Sequence, residues 1–273
     1  MVQKVVTLNR RITKNAGDLS SGPAQYFPDY ANAPQAELTN WNHKTIGERK
    51  KWLEKVSAAD LVIVGGGGLL EWDKYQPSFD VIRFLNKKAV IWGAGQNYDT
   101  LETWADIKRP YVRDYSHFKL VGIRDYGFEH EYIPDASCLS PLFDKYRKKK
   151  PKKEFAFQAN RGTAAHTRFM PAGVPDSDII GNTFIEMEQI LDHFSAAETI
   201  VTSSFHGAYW GLLLNRKVIA LAMSSKIYSM KYPVPIAHGS DWQRFIPVAR
   251  AYPEALEESR SINRAFAERV FNL

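Results

Sequence analysis

Residues 201–221, VTSSFHGAYWGLLLNRKVIAL, carry an apolar strand into a polar turn, then a helix, then a second strand. Ser203 or Ser204 stands where it can cap that helix, and His206 falls in the first turn. Amides without helical partners and the positive end of the helix dipole lie there, a setting that suits an anion. A neutral histidine beside a bound phosphate or carboxylate can take up a proton and act as a general acid. The same residues read equally well as a buried histidine satisfied by backbone groups. A second strand end follows in ALAMSSKIYSM, residues 220–230, where Ser224, Ser225 and Lys226 precede a further helical start. Two hydroxyls, amides and an ammonium at that place form a phosphate clamp, or only a cap beside a solvated lysine.

Three further segments carry chemistry-bearing types. ADLVIVGGGGLLEW, residues 59–72, sets Gly65 to Gly68 behind a buried strand, which reads as a loop or tight strand-to-helix turn. Neither common nucleotide motif fits it: the third glycine of a dinucleotide fingerprint would fall on Leu70 or Glu71, and no Gly-Lys-Ser/Thr triplet follows. ITKNAGDLSS, residues 12–21, offers Asn15, Gly17 and Asp18 as a turn and cap after the first strand, or as the floor of a cleft. GIRDYG (122–127) and YIPDAS (132–137) hold Arg124, Asp125 and Asp135, which on physics alone are ion pairs and turns. NRGTAAHTR (160–168) brings Arg161, His166 and Arg168 to a cleft mouth, or to an exposed basic loop.

These segments need elements to hold them. KVVTLN, DLVIV, KKAVIWG, FKLVGIR and EYIPD read as strands of a first half. Helices are expected over 45–57, 78–87 and 99–107. The run DKYRKKKPKK, residues 144–153, has almost no apolar content and reads as a solvated linker, or as a patch resting on an anionic membrane surface. EFAFQAN, ETIVTS and KVIALAM then read as strands of a second half, with helices over 183–197 and 205–215 and a largely helical tail over 239–271. Strand–helix alternation implies right-handed βαβ units and parallel sheets flanked by helices. Two α/β halves, 1–145 and 154–273, are therefore expected to face a cleft, the last helix returning to the first half.

Composition narrows the partners. The 273 residues include 36 Lys plus Arg against 30 Asp plus Glu, a net charge of +6 that favours acidic partners. No nucleic-acid-binding motif and no zinc-ligand cluster is present, so nucleic acid and metal are not expected. The single cysteine, Cys138, excludes an internal disulfide framework. With no signal peptide and no run long enough to span a bilayer, a cytoplasmic place is expected, possible contact being with the inner membrane face.

Taken in order, NAGD, DLVIVGGGGLL, WGAGQN, GIRDYG, IPDAS and TSSFHGAYWGLLLNRKVIALAMSSK resemble the polysaccharide pyruvyl transferase family over most of residues 1–230. The resemblance implies a GT-B-like fold of two Rossmann-like halves. It implies transfer of the pyruvyl group of phosphoenolpyruvate to sugar hydroxyls, without a cofactor, on a free or lipid-linked glycan in polysaccharide biosynthesis. His206 is then the acid–base group, and Arg161, Ser204, Ser225 and Lys226 hold the donor. Asn15, Asp18, Gly66, Gly67, Gly68, Arg124 and Asp125 belong to the acceptor side. Many members have arginine two positions before the motif histidine, where this chain has Ser204; Arg161 and Lys226 are the expected substitutes. The alternatives are a GT-B glycosyltransferase using a sugar nucleotide, or an inactive glycan-binding relative.

Overall fold

The computed structural model of the protein describes residues 4–38, 44–97, 110–160, 170–221 and 224–273. The first sheet takes β1 (Val5–Asn9), β2 (Gln35–Glu37), β3 (Leu61–Leu70), β4 (Ala89–Gln96), β5 (Leu120–Ile123) and β6 (Glu131–Tyr132) in the order β2-β1-β3-β4-β5-β6, all parallel. The second takes β7 (Lys153–Gln158), β8 (Ile179–Ile180), β9 (Ala197–Thr202) and β10 (Lys217–Ala220) in the order β10-β9-β7-β8, again parallel. Counted from its own first strand, each sheet begins 2-1-3-4. The chain therefore reverses direction beside β1 in one half and beside β7 in the other. Open α/β sheets bind ligands at such reversals, outside the carboxyl ends of the strands.

β1, β3 and β4 are continuous apolar or glycine runs because both faces of the sheet are covered. One face packs on α2 (Ile46–Ser57) and α3 (Gln76–Phe84) through Trp52, Val56, Phe79 and Ile82. The other receives the last helix, α7 (Ala255–Phe271), whose Phe266, Ala267 and Val270 pack with Val5, Ile63, Val90 and Trp92. The second core gathers α5 (Met187–Ser195) and α6 (Phe205–Leu213), joined by Phe143 and Tyr146 of the short α4 (Leu142–Tyr146). The basic run after α4 is tied to this half: Lys145 pairs with Glu188 at 2.8 Å, Lys149 pairs with Asp192, and Arg147 donates to the carbonyl of Pro253.

Several local expectations are corrected. The glycine run is a continuation of β3, Gly65 pairing with Trp92 and Gly67 with Ala94, rather than a loop or turn. β4 offers it a ladder on one side past the point where pairing with β1 ends at Val64, which keeps the run in strand geometry. The helix expected after Ser224 is a single 3-10 turn, Ser225–Ile227. The tail over 239–271 divides into a 3-10 segment, Trp242–Val248, and α7. The helix expected over 99–107 lies outside the described residues.

Candidate active site

The site begins at α1 (Ala16–Ser20), one turn long, which follows β1. Asn15 caps it, its side chain accepting from the Gly17 amide at 2.9 Å. The same turn reaches across to the second half: the Ala16 amide donates to Asn182 O at 3.1 Å, and Asn15 forms an antiparallel bridge with Thr183. On the other side, Ser204 caps α6, its hydroxyl accepting from the Gly207 amide at 3.4 Å. His206 follows in the first turn, and α6 aims it at α1. A Cβ on residue 17 would lie 2.0 Å from His206 Nδ1, so only glycine lets the ring and α1 meet.

Asp135 completes the group. It caps a 3-10 turn, Ala136–Leu139, by accepting the Ser137 amide on Oδ1 at 3.0 Å. That turn is held on α6, because Tyr209 donates to the Asp135 carbonyl at 3.0 Å and Trp210 Nε1 to Ser137 Oγ at 2.9 Å. Oδ2 of Asp135 then faces His206 Nε2 at 3.3 Å, Ser21 Oγ at 2.9 Å and Arg124 Nη1 at 3.2 Å. Ser21 Oγ also stands 3.0 Å from His206 Nε2. The carboxylate can only accept, so we assign the neutral-ring proton to Nε2, which puts the lone pair on Nδ1. Burial by itself raises the Asp135 carboxyl. His206, Arg124 and the Ser137 bond outweigh it and hold the group well below the usual carboxylate range.

Arg124 and Asp125 leave β5 together and diverge. The Arg124 guanidinium lies 4.0 Å over the Phe205 ring, directly beside the Ser204–His206 turn. Its Nε is buried with no hydrogen-bond partner among the described residues. Asp125 accepts from the Gln96 amide at 2.7 Å and from Tyr111 at 2.6 Å, while its Oδ1 is buried and unpaired among the described residues. Burial lifts the Asp125 carboxyl above its ordinary value, against the pull of Arg124, Tyr111, the Gln96 amide and Lys226. The turn that carries Lys226 is tied to this strand end from the second half, since the Tyr126 amide donates to Ser229 O at 2.7 Å. A cavity of about 20 Å³, room for a water, opens between Arg124 and Asp135 on one side and Phe205 and Tyr209 on the other.

The structure brings His206, Ser204, Arg124, Asp125 and Lys226 to the junction of the halves, with Ser225 buried in the turn before Lys226. Asp18, also on α1, is paired with Arg10 at 3.1 Å and lies 3.8 Å from where a Gly67 Cβ would stand. Gly66 faces the chain itself, since a Cβ there would meet Ser21 O at 2.0 Å. Gly68 packs on Asn97 and the Arg124 guanidinium. Arg161 falls outside the described residues. Sequence reasoning assigned no role in the site to Ser21 or Asp135. The only signal for Asp135 was an acid placed just after a strand end.

Two Rossmann-like halves meeting along the carboxyl edges of parallel sheets define the class as GT-B-like. The sequence profile of the polysaccharide pyruvyl transferase family matches residues 20–225, a span that reaches both sheets and the site. The chain belongs to that family, which is a family of transferases. Solved structures similar in fold include an uncharacterized protein from Klebsiella pneumoniae (17% identity, 80% of this chain and 83% of that one covered, TM-score 0.43). Others are a putative UDP-N-acetylglucosamine 2-epimerase from Listeria monocytogenes (8% identity, 96% and 90% covered, TM-score 0.45) and MurG from Acinetobacter baumannii (12%, 97% and 90%, TM-score 0.38). No curated protein matches the sequence significantly. No helix among the described residues is long and apolar enough to cross a membrane.

Proposed function

We propose that the protein transfers the pyruvyl group of phosphoenolpyruvate to hydroxyls of a glycan, forming a ketal. The observation that carries this reading is the contact of His206 with Asp135 and Ser21, which joins a titratable group to both halves at their carboxyl edges. Membership of the family supports it.

Phosphoenolpyruvate is an enol phosphate with a carboxylate. Proton addition at its methylene carbon leaves positive charge at C2, where a sugar hydroxyl attacks. A second hydroxyl then displaces phosphate and closes the ketal. The scheme needs a group that gives and takes protons, and His206 is placed for it. Asp135 fixes the ring orientation and the tautomer. The Nδ1 edge rests against Gly17, so a substrate proton reaches that nitrogen only if α1 draws back from the ring.

The donor's anionic groups need cations and polar hydrogens. Ser204 accepts the Gly207 amide and still has a proton to donate. Arg124 stands beside Phe205, the residue between Ser204 and His206, with a buried Nε that has no partner among the described residues. A guanidinium from the first half thus lies next to the position where other family members carry arginine. We assign donor contacts to Arg124 together with Lys226, Ser225 and Arg161, and acceptor contacts to Asn15, Asp18 and the Gly67–Gly68 stretch. No cofactor or metal is needed by this scheme.

Thermal shift tests the reading directly. Phosphoenolpyruvate should raise the melting temperature, and UDP or GDP should not. The companion assay is phosphate release from phosphoenolpyruvate in the presence of glycan acceptors. Stabilisation by a nucleotide alone would replace this reading with sugar-nucleotide chemistry.

A further inference from the structure

Three large apolar side chains project into solvent from segments that follow strand carboxyl ends: Ile12 after β1, Ile46 at the start of α2 after β2, and Phe184 after β8. Ile12 is 78% exposed, Ile46 86% and Phe184 73%. They are set among cations. Ile12 follows Arg11, and Ile46 stands two residues after Lys44; Arg11 and Lys44 line one groove of about 330 Å³, with Lys51 and Lys55 along its α2 wall. Phe184 belongs to the second half but joins the same rim. Its amide donates to Lys14 O at 2.9 Å, and the Lys14 ammonium sits 4.3 Å over its ring.

Two features argue against an incidental arrangement. Phe184 holds φ at +58°, a strained conformation that a bulky L-residue rarely adopts. The ring so placed is left largely in water. The groove is also net cationic: Arg11, Lys44, Lys51 and Lys55 face two carboxylates, Glu37, which accepts from the amides of Arg11 and Ile12, and Glu48, which closes the capping box of α2 with Thr45. The rim thus sets apolar tips beside an excess of positive charge.

We propose that this rim, with Ile12, Ile46 and Phe184 as insertion points and Arg11, Lys14 and Lys44 as the cationic collar, docks the protein on an anionic lipid bilayer. The pairing of short apolar insertion with cations is the physical basis of reversible attachment to anionic membranes. The surface differs from the basic run at 144–153, where Lys145 and Lys149 are paired with Glu188 and Asp192. It lies at the carboxyl edge of the first sheet, so a docked protein would hold the junction of its halves close to the lipid.

Co-sedimentation of the whole protein with vesicles tests this. Phosphatidylcholine vesicles carrying about one-third phosphatidylglycerol should bind it, and pure phosphatidylcholine should not; binding should weaken steeply as salt rises past ~0.15 M. Ile12→Ser/Ile46→Ser/Phe184→Asn should lower binding ~10-fold or more, and Arg11→Glu/Lys44→Glu should do the same by a separate route. Asparagine tolerates the backbone of position 184, so the triple variant should melt like the wild type. Equal binding to both vesicle types, or undiminished binding in both variants, would overturn the proposal. So would loss confined to Lys148→Glu/Lys150→Glu. A concentration-dependent dimer abolished by the triple substitution, without vesicle binding, would assign the rim to a second copy instead. The readout needs neither donor nor acceptor, so it stands or falls apart from the pyruvyl reading. Transfer to a water-soluble acceptor should be unchanged in the triple variant.

Discussion

His206 cannot be judged from its own neighbours in sequence, because its side-chain hydrogen-bond partners among the described residues come from elsewhere: Ser21 is 185 residues away and Asp135 is 71. Asparagine at 206 keeps a donor but cannot exchange a proton near neutrality. Turnover under saturating donor and acceptor should fall ~10²–10⁴-fold while donor binding survives; a turnover within a few-fold of wild type would reduce His206 to a binding residue. Asp135 yields a pH prediction. Its folded carboxyl lies below the unfolded value, so its contribution is complete above about pH 4 and is lost as pH falls through the lower folded value. Asp135→Asn should therefore be less stable than wild type at pH 6, and the gap should narrow at pH 3 in urea titrations. Asp135→Ala, which leaves Arg124 buried without its partner, should cost about 3–5 kcal/mol at neutral pH. Lys226→Ala should weaken phosphoenolpyruvate binding more than folding; unchanged affinity with a large drop in melting temperature would make Lys226 structural.

At the scale of elements, β3 carries the sharpest contrast. Gly66 and Gly67 both hold positive φ, +61° and +86°. A Cβ on Gly66 would meet Ser21 O at 2.0 Å, whereas one on Gly67 has nothing nearer than 3.8 Å. Gly67→Ala should thus cost only the backbone penalty, about 1–2 kcal/mol. Gly66→Ala adds a clash with main chain that has no flexible end to move, and should destabilise well beyond that. Comparable losses, measured by chemical denaturation, would mean that α1 is not seated on β3 as described. The glycine run was visible in the sequence as a place of close approach. What approaches Gly66 is the chain's own Ser21, a fact set by the packing of α1 over β3.

For the whole molecule, α7 is the tie. Asn263 accepts from Trp92 Nε1 at 2.8 Å in the first half's core and donates to Pro134 O at 3.1 Å. Arg260 donates to Cys138 O at 3.0 Å and Ser140 O at 3.1 Å and pairs with Asp144 at 2.7 Å. With α1 and α7 both bridging, the protein should unfold in one cooperative transition. Phe266→Ala should cost about 3–5 kcal/mol and shift that transition as a unit. Two resolved transitions in calorimetry would show halves that fold independently.

Periodicity and composition by themselves determined the parallel α/β class and most strand positions, because buried parallel strands must be apolar whatever surrounds them. They also placed Ser204 and His206 at a helix start, since capping is local chemistry. The family resemblance rested on the same short segments and was legible for that reason. Tertiary structure alone decided which groups meet. The His206–Asp135–Ser21 cluster depends on α1 crossing to the second half and on the Ala136–Leu139 turn docking on α6. The strand character of the glycine run depends on β4 lying alongside it. The rim of Ile12, Ile46 and Phe184 depends on loops from both halves converging. Each is a contact between segments far apart in the chain, and no local propensity encodes such a pairing.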